Sequence, residues 1–106
     1  MDFTFFTIAF YQIYAMAGSN KHVRVVMYDG NNTHRGNIDF IKDYSGTSNY
    51  QVDALDKIHA FMPLEKLHVI LDILRYEKPV YFAVTPNSNA ATLITGREPT
   101  GEEELT

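Results

Sequence analysis

The chain has 106 residues, 45% of them apolar and 21% charged, which is the make-up of one ordinary globular domain with a thin core. It has no cysteine, so disulfides, thiolate metal sites and a cysteine nucleophile are excluded. The net charge of −4 lies entirely in the second half and includes the run Glu102, Glu103, Glu104, so bulk charge gives no basic face of the kind nucleic acid requires.

Phe3 to Ala17 (FTFFTIAFYQIYAMA) opens the chain and is rich in Phe, Thr, Ile and Tyr, which suit a pleated surface. It reads as a long strand. Both its odd positions (Phe3, Phe5, Ala9, Ile13) and its even ones (Phe6, Ile8, Phe10, Tyr14) are apolar, so the strand needs cover on two faces or a partner subunit. Two other readings fit residues 1–16. Ala15-Met16-Ala17 has the small residues of a secretory cleavage site, although Met1-Asp2 is an acidic start. Alternatively the native protein begins at Met16 and the first fifteen residues are an upstream extension. The run is too short for a membrane helix, which needs about 20 apolar residues.

Gly18 to Lys21 predicts a turn and His22 to Tyr28 a strand, with Val23, Val25 and Met27 on one face. Asp29-Gly30 opens a turn that Asn31-Asn32-Thr33 extends. Gly36 to Lys42 is the next predicted strand, Tyr44 to Asn49 a polar loop, and Lys57 to Phe61 a short strand with Ile58 and Ala60 on one side.

Residues 63–77 predict the single helix. Pro63 suits a first helical position and Pro79 ends the segment. Leu64, Leu67, Ile70, Leu71 and Leu74 share one arc, and Val69 and Ile73 widen it to roughly 200°. Val80 to Thr85 and Ala90 to Thr95, joined by Pro86-Asn87-Ser88-Asn89, predict a closing hairpin. Residues 97–106 read as an acidic tail, leaving 1–96 as one domain.

The fold class expected is therefore α+β: an antiparallel sheet of five or six strands covered by one helix, the helix inserted before the last hairpin. Three strands, a helix and two strands is also the element order of an oligonucleotide-binding barrel.

Candidate chemistry is sparse. Glu65, His68 and Asp72 form a polar stripe on the helix, read as solvated i, i+3 and i, i+4 pairs rather than a metal site, because the His-x-x-x-His spacing of a zinc helix is missing. Lys21, His22, Arg24, Tyr28, His34 and Arg35 would make a small basic patch if a hairpin brought them together, compatible with a phosphate or single-stranded nucleic acid. Asp29-Gly30-Asn31-Asn32 lacks the acidic alternation and closing glutamate of a calcium loop, and Asn31-Asn32-Thr33 matters as a glycosylation acceptor only in an exported chain. No serine sits in a nucleophile elbow.

Surplus apolar surface is the strongest functional signal. It points to a non-catalytic, cytoplasmic interaction domain that self-associates as a dimer or binds a protein partner through Val69, Ile73, Phe6, Ile8 and Phe10. The alternatives are a single-strand nucleic-acid module built on the basic patch and a small ligand- or metal-binding enzyme-like domain. No cofactor and no membrane partner is expected.

Overall fold

The computed structural model describes residues 4–15, 17, 21–44, 50–85 and 90–97. The predicted turn at 18–21, apart from Lys21, which begins a strand, the turn at 86–89, most of the 44–49 loop and the tail beyond residue 97 lie outside the described residues.

Among the described residues the chain is α+β with one α-helix, as expected, but it forms two sheets where a single antiparallel one was expected. The strands are β1 (Thr4–Thr7), β2 (Phe10–Ala15), β3 (Lys21–Tyr28), β4 (His34–Ile41), β5 (Tyr50–Val52), β6 (Ile58–Pro63), β7 (Val80–Thr85) and β8 (Ala90–Thr95). A five-stranded sheet has the order β2-β3-β4-β6-β5, and a three-stranded sheet the order β1-β7-β8. All pairs are antiparallel except β4 with β6, which run parallel. Among the described residues β8 pairs only with β7, so closure into an oligonucleotide-binding barrel is not formed by strand pairing.

The long N-terminal strand is broken at Ile8-Ala9. The Ile8 N–H donates to the Val80 carbonyl of β7 (2.9 Å), and the next N–H, of Ala9, donates to the Tyr28 carbonyl of β3 (2.9 Å). The chain changes sheets within one residue. The buried phase is even before the step, where Phe6 is 5% exposed, and odd after it, where Tyr11 packs on the core opposite Met27; Ile13, opposite Val25, is 44% exposed. The step reverses which phase is buried, and it leaves Phe5, Phe10 and Tyr14 as exposed aromatic residues on the other phase.

A 3₁₀ turn, Leu64–Lys66, leads into α1 (Leu67–Tyr76). Pro63 ends β6 and precedes this turn instead of starting the helix. Ile70 is buried, and Leu67, Leu71 and Leu74 pack on the same core. That core is continuous. It joins Phe6, Phe82 and Val84 of the three-stranded sheet to Val25, Met27, Ile38, Phe40, Ile58 and Ala60 of the other. Phe6 and Phe82 meet edge to face, 5.9 Å between centroids, the arrangement ring quadrupoles favour.

Two loops repeat one construction. In Asp29–Thr33, one Asp29 carboxylate oxygen accepts from the Asn31 and Thr33 N–H groups (2.9 and 3.0 Å). In Asp53–Lys57, the Asp53 carboxylate accepts from Leu55 and Lys57 (2.8 and 3.0 Å). Each aspartate N–H also bonds the carbonyl four residues on, and the fourth residue of each loop, Asn32 or Asp56, has φ near +60° (61° and 62°). Asn and Asp tolerate that conformation better than other side chains.

Candidate interaction surface

The three-stranded sheet carries no charge. Its strands read TFFT, VYFAVT and AATLIT, with no Asp, Glu, Lys, Arg or His in any of them. Its inner face is core. Its outer face is Phe5 and Thr7 on β1, Tyr81 and Ala83 on β7, and Thr92 and Ile94 on β8, as the register requires. Phe5 is 54% exposed and Ile94 42% exposed, and together with Tyr81 and Ala83 they line a shallow apolar depression of about 210 Å³. Edge strands ordinarily carry lysine, proline or a bulge that blocks pairing with another chain. β8 has none of these, and its register with β7 is unbroken.

Beside β8 runs an apolar groove of about 410 Å³. Phe61, Met62 and Pro63 of β6, Val69, Ile70 and Ile73 of the helix, and Ala90 to Leu93 of β8 form its walls, and Lys66 is its single charged residue. Val69 is 56% exposed at its rim. The helix is therefore covered on one side by the core and left open on the side that Val69 and Ile73 widen.

The five expected contact residues thus separate. Val69 and Ile73 line the groove. Ile8 and Phe10 line a second cleft, of about 660 Å³, between the strand break and the C-terminal end of the helix, where Arg75, Glu77 and Lys78 also stand. Phe6 corrects the expectation: it is inside the subunit, under the Arg35 guanidinium at 5.1 Å, because the sheet switch sends its register inward. Among the described residues the exposed phenylalanines are its neighbour Phe5 and Phe10. Sequence reading missed the β8 edge. The available signal was the absence of any charged residue from Pro79 to Gly96.

The backbone spreads the basic patch along β3, with Tyr28 and His34 brought together at one end, and the side chains of Lys21 and His22 lie outside the described residues. Lys21 pairs with Ile41 at one end of β3, and Tyr28 pairs with His34 at the other, a separation of about 23 Å along a strand. Arg24 is held by Asp39 through Nε–Oδ1 (2.6 Å) and Nη2–Oδ2 (3.2 Å), and this bond raises the guanidinium further above its ordinary range. Asp39 is itself buried. Arg35 bonds the second oxygen of Asp29 (3.2 Å). Burial pushes the His34 imidazole below its ordinary pKa.

A polar chain crosses the outer face of the five-stranded sheet. His59 Nδ1 meets Asn37 Oδ1 at 2.7 Å, and Nε2 meets Asp53 Oδ2 at 3.0 Å. The hydrogen bond from His59, with those from the Lys57 and Leu55 N–H groups, holds the Asp53 carboxyl down at about 2. The pair repeats Asp29–Arg35 at the same spacing of six residues, so its partners already explain it as a loop brace. Glu65, His68 and Asp72 are exposed on the helix, and among the described residues no group of three or more His, Asp or Glu is placed to hold a metal ion. Serines 19, 45, 48 and 88 lie outside the described residues. No described helix is long and apolar enough to cross a membrane.

Comparisons with protein-family models, with curated proteins and with solved structures find no match for this chain.

Proposed function

We propose that this chain is a non-catalytic cytoplasmic interaction domain that works by association with protein through the β8 edge and the groove beside it. The observation that carries the reading is the uncharged three-stranded sheet, whose free edge adjoins an apolar channel with Val69 exposed on its far wall. Strand addition at such an edge gives main-chain hydrogen bonds, and alternate side chains of the added strand enter the channel. The cytoplasmic assignment rests on the cysteine-free composition. The single-strand nucleic-acid reading gains no support, because both arginines of its patch are held by carboxylates.

Sedimentation equilibrium from low to high micromolar concentration tests the reading. The purified chain is expected to pass from 12.1 kDa toward a multiple of that mass. A single 12.1 kDa species throughout, with no protein partner recovered by the β8 surface, contradicts it.

A further inference from the structure

We propose that the occupant of this surface is a second copy of the same chain, which lays its β8 antiparallel against the first across a two-fold axis at Leu93; this rests on the reading of the surface as one for association.

The register follows from the hydrogen bonds already in place. The Gly96 N–H donates to the Pro79 carbonyl (3.1 Å), so that pair is of the hydrogen-bonded kind. Bonded and non-bonded pairs alternate along an antiparallel ladder. Ala90, Thr92 and Ile94 therefore bond to β7, and Ala91, Leu93 and Thr95 turn their N–H and C=O groups to the open edge. The Val80 carbonyl, which the same alternation turns toward β1, does accept from Ile8 there.

A two-fold pairing must match these three residues with themselves. An axis at Leu93 joins Leu93 to Leu93 and Ala91 to Thr95 in both directions, and every free group of the three finds a partner. An axis at Thr92 leaves Thr95 outside the match, and an axis at Ile94 leaves Ala91 outside it. The composition permits the symmetry. An isologous contact places each residue near its own copy, so a charged residue would meet its like, and β8 has none.

Area points the same way. A specific interface takes about 800 Å² from each copy. A six-residue edge is only about 20 Å long and about 5 Å wide, which is far short of that. A two-fold axis perpendicular to the sheet puts both inner faces on one side of the joined sheet. The two helices then approach across the seam, and Val69 and Ile73 of each meet over the groove. An unrelated extended peptide would bring only its alternate side chains to the channel, whereas a second copy also brings its own Val69 and Ile73.

Paired cysteine variants test this directly, since the chain has no cysteine of its own. Thr92 and Ile94 both face outward and are exposed, so Thr92→Cys and Ile94→Cys leave the core intact. With the axis at Leu93, position 92 of one copy stands opposite 94 of the other in a non-bonded pair. The Cα separation of such a pair, about 4.5 Å, suits a disulfide. A mixture of the two single variants is expected to give disulfide-linked dimer on a non-reducing gel, and either variant alone little or none. Crosslinking of Thr92→Cys alone or Ile94→Cys alone sets the axis elsewhere and overturns the proposal. A dimer in sedimentation that crosslinks in no preparation also overturns it, while leaving the association reading standing. A monomer at all concentrations overturns the proposal, and it removes the association reading as well when the β8 surface also recovers no protein partner. As a second variant, Thr92→Lys is expected to weaken self-association at least tenfold with an unchanged circular dichroism spectrum, and unaltered association counts against the seam.

Discussion

At the scale of single residues, close approach and local hydrogen bonding decide most of what this chain does. A Cβ on Gly36 would lie 2.5 Å from the Ile58 carbonyl oxygen, so β4 and β6 pair here only because residue 36 has no side chain. Gly36→Ala is expected to cost about 2 kcal/mol, the scale of overpacking a tight site, as read by urea unfolding. Asp53 gives a pH signature. Its folded pKa, about 2, lies below the unfolded carboxylate value, so its contribution to stability is full above the unfolded value and is lost as pH falls through the folded one. Thermal unfolding of the native chain should steepen in loss between about pH 4 and pH 2, and Asp53→Asn should flatten that part of the profile. An unchanged profile in the variant contradicts the brace. Sequence reading found the Asp29 turn from its glycine, yet missed the Asp53 loop, because Ala54 and Leu55 are not turn formers. What makes that loop is one carboxylate facing two N–H groups, a property of spacing more than composition.

At the scale of elements, the helix was the most legible part. Its apolar period placed its C-terminal end within a residue but its start four residues early, because Pro63 belongs to β6 and Leu64–Lys66 is a 3₁₀ turn; the excess width at Val69 and Ile73 named the side left open. The strands were legible singly and illegible as partners. Nothing local marks Ile8-Ala9 as the place where the chain leaves one sheet for the other, because the apolar residues that serve two sheets look the same as those that serve two faces of one. The parallel pairing of β4 with β6 was hidden for a related reason: its crossover passes through β5, a strand of only three residues. The candidate surface was half read. The helix side followed from periodicity, but the β8 side needed the knowledge that no described strand lies beyond it. The same uncovered rim makes a prediction. Val69→Asp is expected to reduce self-association at least tenfold and to change monomer stability by less than about 0.5 kcal/mol, since it is an exposed position away from the core.

At the scale of the whole molecule, two sheets and a helix share one core, so they should melt together. Phe82→Ala removes the ring that faces Phe6 and is expected to lower stability by about 3–5 kcal/mol in a single transition, seen identically by far-ultraviolet circular dichroism and tyrosine fluorescence. Two separate transitions would mean that the sheets fold apart. The proposed association, by contrast, uses a β8 seam without charges, so its strength should change little between low and high salt, unlike a contact built on ion pairs. Hydrogen exchange followed residue by residue along β8 tests the central claim most directly. At concentrations where the chain associates, the Ala91, Leu93 and Thr95 amides are predicted to exchange as slowly as those of Ala90, Thr92 and Ile94, and on dilution to lose that protection while the latter keep theirs. Fast exchange at Ala91, Leu93 and Thr95 at every concentration would contradict a covered edge.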